Sequence, residues 1–269
     1  MENIILSIAG SDSIGGAGIQ ADLKTITSLG GYGMTAITSI TAQNTLGVQS
    51  IYHLPITIIE EQLNSILTDI KPNAVKIGML GNDDILQLII RVIKKFHLNN
   101  VVVDPVMVAT SGDVLFQSDT VRGYEMLFNE AALMTPNLPE AEALIGRPLH
   151  TASEVEDAAA QLGSDYHISV LIKGGHRADS ADDYLWDVAN ETGDWLRAPH
   201  IESLNTHGTG CTLSSAVATF LARGYDLTSS VSKAKQYVTH TIDTSFNLGK
   251  GRGPLHHNYH LDSHTWEVE

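Results

Sequence analysis

Cysteine and basic residues are both scarce in this chain. One cysteine, Cys211, stands among 269 residues, so no internal disulfide can form and a reducing compartment is expected. The 16 Lys and Arg are outnumbered by 31 Asp and Glu, which gives a formal net charge of −15. A surface of that sign repels phosphate backbones and anionic lipids, so neither nucleic acid nor a membrane surface is expected as a partner.

Long apolar runs are missing as well. No stretch approaches the roughly 20 residues that a transmembrane helix needs. The N-terminus begins MENIIL and has no basic segment ahead of a signal-like apolar run. We therefore expect a cytoplasmic protein, whose 269 residues and 43% hydrophobic content fit one large α/β domain.

Short β-branched runs alternate with amphipathic stretches along the first two thirds of the chain. This alternation is typical of βαβ units around a mainly parallel sheet. It predicts strands at 4–9, 35–42, 74–80, 100–106, 133–135 and 168–173, and helices at 18–29, 58–69, 83–96, 119–130, 139–145 and 153–162. Ser153, with Glu156 three residues on, is expected to cap the last of these helices.

The pattern changes after residue 173. Two runs, 183–188 and 194–198, are joined across residues 191–193 and predict an antiparallel hairpin at the edge of the sheet. Two long helices are expected at 209–223 and 229–246, followed by a glycine-rich segment at 249–254. No linker interrupts the chain, so we expect one domain over 1–269, with 261–269 as a loose tail.

A glycine-punctuated turn, NTHGTGCTLSSA at 205–216, leads directly into a helix of small apolar residues. Gly208 and Gly210 allow backbone N–H groups to turn toward a ligand, and the helix start adds the positive end of its dipole, so a phosphate or an oxyanion fits there. Cys211 lies in the first helical turn, where the dipole is expected to lower its thiol pKa. The alternative is an ordinary loop with a buried structural cysteine.

Polar residues lie at or just beyond the ends of several predicted strands, at the edge where ligands bind in open parallel sheets. Gln43, Asp104, Asn137 and Lys173 are examples. Each has a structural alternative: Asp104 can initiate a turn, and Asn137 can cap a helix. Asn137 and Glu140, with Asp104 nearby, can also reach one Mg²⁺ directly or through water, because this hard cation prefers oxygen ligands.

Together these motifs resemble the hydroxymethylpyrimidine/phosphomethylpyrimidine kinases of thiamine biosynthesis, in the ribokinase-like superfamily. The matching motifs are AGSD at 9–12, GGAGIQADLK at 15–24, AQNT at 42–45, KIGML at 76–80, VDPVM at 103–107, TPNLPEA at 135–141, KGGH at 173–176, the Cys211 loop, and GKG with GP within 249–254. An ordered set of motifs from about residue 3 to about residue 260 is far more specific than any one of them.

The resemblance implies a three-layer α/β sandwich, usually a homodimer. It also implies transfer of the γ-phosphoryl group of ATP to 4-amino-5-hydroxymethyl-2-methylpyrimidine and then to its monophosphate. The implied pyrimidine-binding residues are Gly10, Asp22, Gln43, Met79 and Val106; those for Mg²⁺ are Asp104, Asn137 and Glu140. The implied ATP-binding residues are Asp104, Asn137, Lys173, His207, Gly208, Gly210 and Lys250. In-line transfer would use Lys173, an anion hole of Gly208, Thr209 and Gly210, and Cys211 as the base.

Two departures and three alternatives accompany the resemblance. Thr110 stands where these kinases have lysine, or a nearby cysteine in relatives with a second thiol, and Cys211 stands where a ribokinase has aspartate. Pyridoxal kinase is the nearest alternative, although such relatives lack the glutamine at position 43. A thiol hydrolase using Cys211 and His207, oriented by Asn205, and a non-catalytic nucleotide-binding module are the others. Whether Cys211 is only a base or also attacks an aldehyde stays open.

Overall fold

A central sheet organises residues 3–106, 121–174 and 181–261, the parts of the chain that the computed structural model describes. Its nine strands there are β1 (Ile4–Asp12), β2 (Tyr32–Asn44), β3 (Gly47–His53), β4 (Ala74–Ile77), β5 (Val101–Val103), β6 (Leu133–Met134), β7 (Ser169–Ile172), β8 (Asp183–Asp187) and β9 (Thr192–Leu196). Their spatial order is β3-β2-β1-β4-β5-β6-β7-β8-β9. The six central strands, which are β2, β1, β4, β5, β6 and β7 in spatial order, pair in parallel. Strands β3, β8 and β9 pair antiparallel at the two edges.

Helices cover both faces of this sheet. They are α1 (Gly18–Ser28), α2 (Ile56–Leu67), α3 (Asp83–Phe96), α4 (Val121–Phe128), α5 (Leu138–Ile145), α6 (Ala152–Tyr166), α7 (Thr209–Ala222) and α8 (Leu227–Asp243). One apolar core lies between the sheet and α2 to α6, and a second lies between the sheet and α1, α7 and α8. Successive residues of β1 serve opposite cores, as in Ile5 and Leu6, because side chains alternate across a strand. The predicted three-layer α/β sandwich is confirmed.

The antiparallel hairpin at the sheet edge is confirmed, but its turn is not where the sequence suggested. The turn occupies residues 188–191, and Thr192 and Gly193 already belong to β9. Glu191 carries the positive φ of 50° that reverses the chain. The other edge was missed: β3 is half-exposed, and without a continuous apolar face its sequence lacks a clear strand signal.

The cap predicted for α6 was also wrong. Thr151 and Glu154 form the capping box, since each side chain accepts a hydrogen bond from the other residue's N–H. Ser153 lies inside the helix. The S/T-x-x-E spacing fits both pairs, and the extended backbone of Thr151 selects between them. The first two residues of the helix predicted at 119–130 lie outside the described residues, as does the tail beyond residue 261.

None of the helices in the described parts of the chain has the length and apolar character needed to span a bilayer.

A buried ion pair joins the layers near the carboxyl edge of the sheet. Lys76 of β4 donates to both carboxylate oxygens of Asp22 of α1 at 2.9 Å, and neither side chain is exposed. Asp22 also accepts hydrogen bonds from Ser7 of β1 at 2.5 Å and from Ser215 of α7 at 2.7 Å. Burial disfavours the charged form of Lys76, but nearby negative charge, led by Asp22, outweighs that effect and raises the pKa of Lys76.

We expect Asp22→Asn to lower the free energy of unfolding by about 3–5 kcal/mol, because it leaves a buried ammonium without its counter-charge. Urea titration followed by circular dichroism measures this. The matched control is Glu130→Gln in the exposed pair that Glu130 makes with Lys94, where a loss within about 1 kcal/mol is expected. Equal losses in the two variants would contradict a special role for the buried pair.

Candidate active site

One cavity of about 780 Å³ opens at the carboxyl edge of the sheet, where the ends of β1, β4, β5, β6 and β7 meet the start of α7. It brings together most of the residues selected from the sequence. Those lining it are Gly10, Gln43, Met79, Asp104, Val106, Asn137, Glu140, Lys173, His207, Gly208, Thr209, Gly210 and Cys211. Met107, Thr110, Gly175 and His176, which belong to the recognised motifs, lie outside the described residues.

Two of the predicted site residues are not on the cavity wall. Asp22 lies behind the wall, with its carboxylate engaged by Lys76, Ser7 and Ser215, so the expected direct contact with substrate is not supported. Asp22 is not a solvated surface acid either, because it is fully buried. Lys250 is exposed and is not among the residues that line the cavity, and its backbone N–H donates to Thr45 Oγ1 at 3.1 Å.

The loop before α7 is shaped by glycine. Gly208 caps the helix with a φ of 82°, and a Cβ there would collide with the backbone oxygen of Gly16. A Cβ at Gly210 would lie 3.3 Å from both Asp104 Oδ2 and Lys173 Nζ. The turn therefore lies close to the ends of β5 and β7. Because Gly210 has no side chain, the space between the turn and these two strand ends stays open.

Asp104 and Lys173 form an ion pair beneath this loop. Lys173 Nζ lies 2.7 Å from Asp104 Oδ1, which also accepts a hydrogen bond from Thr135 Oγ1 at 3.1 Å. Burial disfavours the charged lysine, yet the charges of Asp104 and Glu140 prevail and raise the pKa of Lys173. The lysine is therefore positively charged at neutral pH and is held in a fixed direction.

Asn137 and Glu140 cap α5, as the structural alternative for Asn137 predicted. The Asn137 side chain accepts from Glu140 N–H at 2.8 Å, and Glu140 Oε2 accepts from Asn137 N–H at 2.8 Å. Both residues nevertheless line the cavity, and only 7% of Glu140 is exposed. Capping therefore fixes Glu140 at the cavity wall instead of removing it from the site.

The described residues contain no group of three or more His, Cys, Asp or Glu side chains arranged to hold a metal ion. The carboxylates of Asp104 and Glu140 do fit the looser requirement of Mg²⁺, which commonly takes one or two carboxylates together with substrate phosphates and waters. The donor set is thus compatible with a metal that arrives with a nucleotide.

His207 pairs with a carboxylate that the sequence analysis did not single out. Its Nε2 lies 2.9 Å from Asp12 Oδ2, which also accepts from the N–H groups of Gly16 and Ala17. Burial opposes ionisation of Asp12, but His207 and the hydrogen bonds from the N–H groups of Ala17 and Ile14 outweigh it, so the pKa of Asp12 is lowered. In this structure the Nε2 atom of His207 therefore faces Asp12, the contact that a thiol hydrolase reading did not anticipate.

Gln43 lies at the end of β2 beside this pair. Its Oε1 accepts from Thr41 Oγ1 at 3.2 Å, and its Nε2 lies 3.5 Å from His207 Nε2. Its backbone N–H donates to Ser13 Oγ at 2.9 Å. The side-chain amide thus reaches the cavity wall with weak contacts at both of its ends, and a ligand can compete for them.

The expected effect on Cys211 is reversed. Burial raises its thiol pKa to about 11, and the nearby charge of Lys76 offsets only part of that rise. The helix dipole argument neglected the low dielectric of the cavity wall, where desolvation of a thiolate outweighs the attraction of the helix start. With this pKa, Cys211 is a neutral thiol at pH 7.

Sequence reasoning missed five charged residues of the cavity wall: Asp12, Lys76, Arg252, and Asp183 with Lys235, which pair at 2.6 Å. Asp12 and Lys76 lie inside motifs that the sequence analysis identified, but no role was assigned to either residue there. Asp183 and Lys235 are separated by 51 intervening residues, and only the folded sheet brings them together.

The sequence model of the family described as "Phosphomethylpyrimidine kinase" matches residues 12–256. A hydroxymethylpyrimidine/phosphomethylpyrimidine kinase of Streptomyces coelicolor is 42% identical over 259 residues, covering 96% of this chain and 95% of the relative. The thiamine biosynthesis bifunctional protein ThiED of Geobacter sulfurreducens is 44% identical over 255 residues, and the match covers 94% of this chain but 52% of that longer protein.

Solved structures of two kinases superpose on most of this chain. A phosphomethylpyrimidine kinase of Clostridium difficile superposes with a TM-score of 0.80 at 39% identity, covering 90% of this chain and 100% of that one. An ADP complex of Bacillus subtilis pyridoxal kinase superposes with a TM-score of 0.87 at 37% identity, covering 96% and 98%. The family model and the whole-chain relatives together show that this chain belongs to the phosphomethylpyrimidine kinase family.

Proposed function

We propose that this protein transfers the γ-phosphoryl group of ATP to the hydroxyl of 4-amino-5-hydroxymethyl-2-methylpyrimidine and then to the resulting monophosphate. The observation that carries the proposal is the approach of Gly210 to Asp104 and Lys173, which puts a glycine turn, a carboxylate and a charged lysine around one space. Phosphoryl transfer needs mainly alignment and charge neutralisation, and this arrangement supplies both. The names of the relatives support the pyrimidine substrate.

The backbone of the turn supplies the anion hole in this proposal. Thr209 N–H already donates to the Thr206 carbonyl at 3.3 Å. Its neighbours Gly208 and Gly210 are therefore the stronger candidates for donors to equatorial phosphate oxygens. Lys173, held toward the same space by Asp104, neutralises charge that develops on the transferred group. When bound, Mg²⁺ would shield the phosphates of ATP, with Asp104 and Glu140 as the residues that hold it.

The pyrimidine occupies the opposite end of the cavity in this proposal. A Cβ at Gly10 would lie 3.2 Å from Met79 Sδ, so these two residues form one continuous wall on which a flat ring can lie. Gln43, at the same end, offers an amide with one donor side and one acceptor side to the amino group and ring nitrogen of the substrate. A homodimer in the cytoplasm completes the proposal, on the basis of the family resemblance.

Cys211 is the base that we propose for the substrate hydroxyl, and its raised pKa shapes how it can act. With a pKa of about 11, the thiolate is about one part in 10⁴ at pH 7. That thiolate is a strong base once formed, so the rate would be limited by its population. Activity should therefore climb with pH across the neutral and mildly alkaline range.

Pyridoxal kinase is the second candidate, because the Bacillus subtilis pyridoxal kinase superposes on almost the whole chain. Pyridoxal carries a phenolic oxygen and a carbonyl, and it cannot satisfy both sides of an amide at Gln43 as an aminopyrimidine can. The pyrimidine is accordingly the substrate that the Gln43 end of the cavity favours.

The purified protein should release ADP from Mg-ATP when supplied with the hydroxymethylpyrimidine or with its monophosphate, because in this proposal the cavity holds the pyrimidine at Gln43 and the phosphates at the glycine turn. A coupled ADP assay, with pyridoxal run in parallel, measures this. ADP release no greater than in the substrate-free control for both pyrimidines would reject the proposed function. Greater turnover of pyridoxal would favour the second candidate.

Cys211→Ala should lower kcat by about 10²–10⁴, the usual contribution of a positioned acid or base, with little change in the KM for ATP. In the wild type, kcat/KM should rise about tenfold per pH unit from pH 7 to 9, since the thiolate fraction grows tenfold per unit below a pKa of about 11. The pH profile of Cys211→Ala should be flat over this range. An unchanged kcat, or parallel profiles, would leave Cys211 as a structural residue.

Gln43→Met should lower kcat/KM for the pyrimidine by roughly 5- to 150-fold. This is the effect expected when the polar edge of the pyrimidine is buried without a hydrogen-bond partner, at a cost of about 1–3 kcal/mol. Pyridoxal should lose less, so the ratio of the two specificity constants moves toward pyridoxal. The control is Asn44→Ala, which removes the side chain that accepts from Leu46 N–H in the adjacent turn and leaves the amide in place. If Gln43 only secures the turn, both variants will weaken the two substrates equally.

A further inference from the structure

Arg252 differs from the other lysine and arginine side chains that line the cavity within residues 3–106, 121–174 and 181–261. Lys76, Lys173 and Lys235 are each held in an ion pair, with Asp22, Asp104 and Asp183 respectively. The guanidinium of Arg252 has no ion pair or hydrogen bond with another described residue, and Arg252 is exposed. Among those residues, it is the cation of the cavity wall whose charge is not already committed.

The backbone places Arg252 between the two ends of the cavity. Its N–H donates to the carbonyl of Thr45 at 2.9 Å, and Thr45 lies two residues beyond Gln43. The next carbonyl, that of Gly253, accepts from His207 N–H at 3.1 Å, and His207 immediately precedes Gly208 of the glycine turn. A side chain that enters the cavity from position 252 therefore starts between the proposed pyrimidine end and the proposed anion hole.

The segment that carries Arg252 is closely held on both sides. Thr45 Oγ1 accepts from the N–H groups of Lys250 and Gly251 at 3.1 Å each. A Cβ at Gly251 would collide with the Thr45 backbone, and one at Gly253 would collide with the Asn205 side chain. The Cα of Arg252 is thus fixed relative to both neighbouring elements, and the reach of its guanidinium is confined to this part of the cavity.

The proposed second reaction has an electrostatic difficulty that the first does not have. It brings a phosphorylated pyrimidine beside the phosphates of ATP, in a cavity whose wall also carries Asp12, Asp104, Glu140 and Asp183. Like charges a few ångströms apart repel strongly where the dielectric is low, and the alcohol substrate lacks this repulsion. A guanidinium is well suited to offset it, because its planar fork donates two parallel hydrogen bonds to a phosphate.

Building on the proposed function, we propose that Arg252 binds the phosphate group of the monophosphate substrate, so that the second phosphorylation depends on this residue and the first does not. The ligand class is a phosphate monoester of a small heterocycle. Arg252 is then a specificity-determining residue that separates the phosphorylated substrate from the alcohol.

The test compares kcat/KM for the alcohol and for the monophosphate at saturating Mg-ATP in four proteins: wild type, Arg252→Gln, Arg252→Lys and Arg147→Gln. Arg252→Gln should lower the value for the monophosphate by about 10- to 100-fold, the usual effect of losing a charge-assisted hydrogen bond, and the value for the alcohol by less than about 3-fold. Arg252→Lys should recover part of the loss. Arg147→Gln, an equal charge change at an exposed site outside the cavity lining, should change neither value.

Equal losses for both substrates, or no loss for either, would overturn the inference. A raised KM for ATP with an unchanged ratio between the substrates would place Arg252 at the nucleotide instead and would also overturn it. Calorimetric titration of the monophosphate without ATP, into wild type and Arg252→Gln, is independent of turnover and should show about 10-fold or greater weakening in the variant. If the wild type turns over neither pyrimidine, the proposed function fails, while this titration still decides whether Arg252 binds the phosphate.

Discussion

The buried ion pair between Asp22 and Lys76 determines where the glycine turn sits relative to the sheet. Asp22 also accepts from Ser215, which lies four residues, or one helical turn, after Cys211 on α7. The rotation of α7 about its own axis is therefore tied to a side chain on α1 and, through Lys76, to β4. A buried pair is weak evidence for net stability, because apolar residues in its place are often no worse. Its contribution here is directional, since it fixes the helix start that carries Gly210 and Cys211.

Pairing with buried carboxylates also explains how an acidic protein can place lysines around a cavity suited to phosphates. The chain carries a net charge of −15, yet lysines stand at the cavity wall because each is paired with one carboxylate. Pairing removes much of the attraction that a free lysine would offer at a distance, but it fixes the direction of the ammonium before a ligand arrives. Such preorganised charge acts without reorganisation during the reaction, which is the condition under which electrostatic stabilisation is most effective.

The sequence predicted the layers of the fold better than its edges. Continuous apolar runs such as those of β1 and β5 are buried on both faces, so they have a clear pattern. Strand β3 is half-exposed and lies at an edge, where side-chain pattern is weakly constrained, and it was missed. For the site, strand-end polar residues were found because parallel strands deliver their carboxyl ends to one edge.

Long-range electrostatics could not be read from local motifs. The motif containing Asp22 suggested a substrate contact, but only the fold shows that Lys76, far away in sequence, occupies its carboxylate. Likewise, the position of Cys211 at a helix start indicated a lowered pKa, whereas burial by surrounding elements raises it to about 11. The position of a thiol at a helix start predicts that the dipole lowers its pKa. Desolvation raises the same pKa, and its size depends on all the elements that pack around the thiol.

His207 lies beside Gln43 and immediately before the glycine turn. Its Nε2 lies between Asp12, at 2.9 Å, and the amide of Gln43, at 3.5 Å, while its backbone leads directly into Gly208. Asp12 in turn holds the backbone of the loop that Gly208 touches, through the N–H groups of Gly16 and Ala17. A ligand that draws the Gln43 amide toward itself therefore alters the surroundings of a residue adjacent to the proposed anion hole. In the proposed function Gln43 recognises the pyrimidine and the glycine turn aligns the phosphates, so a substitution at Gln43 can affect both through His207. One specificity constant alone cannot separate these two effects, whereas the ratio between two substrates that share the same phosphate donor can.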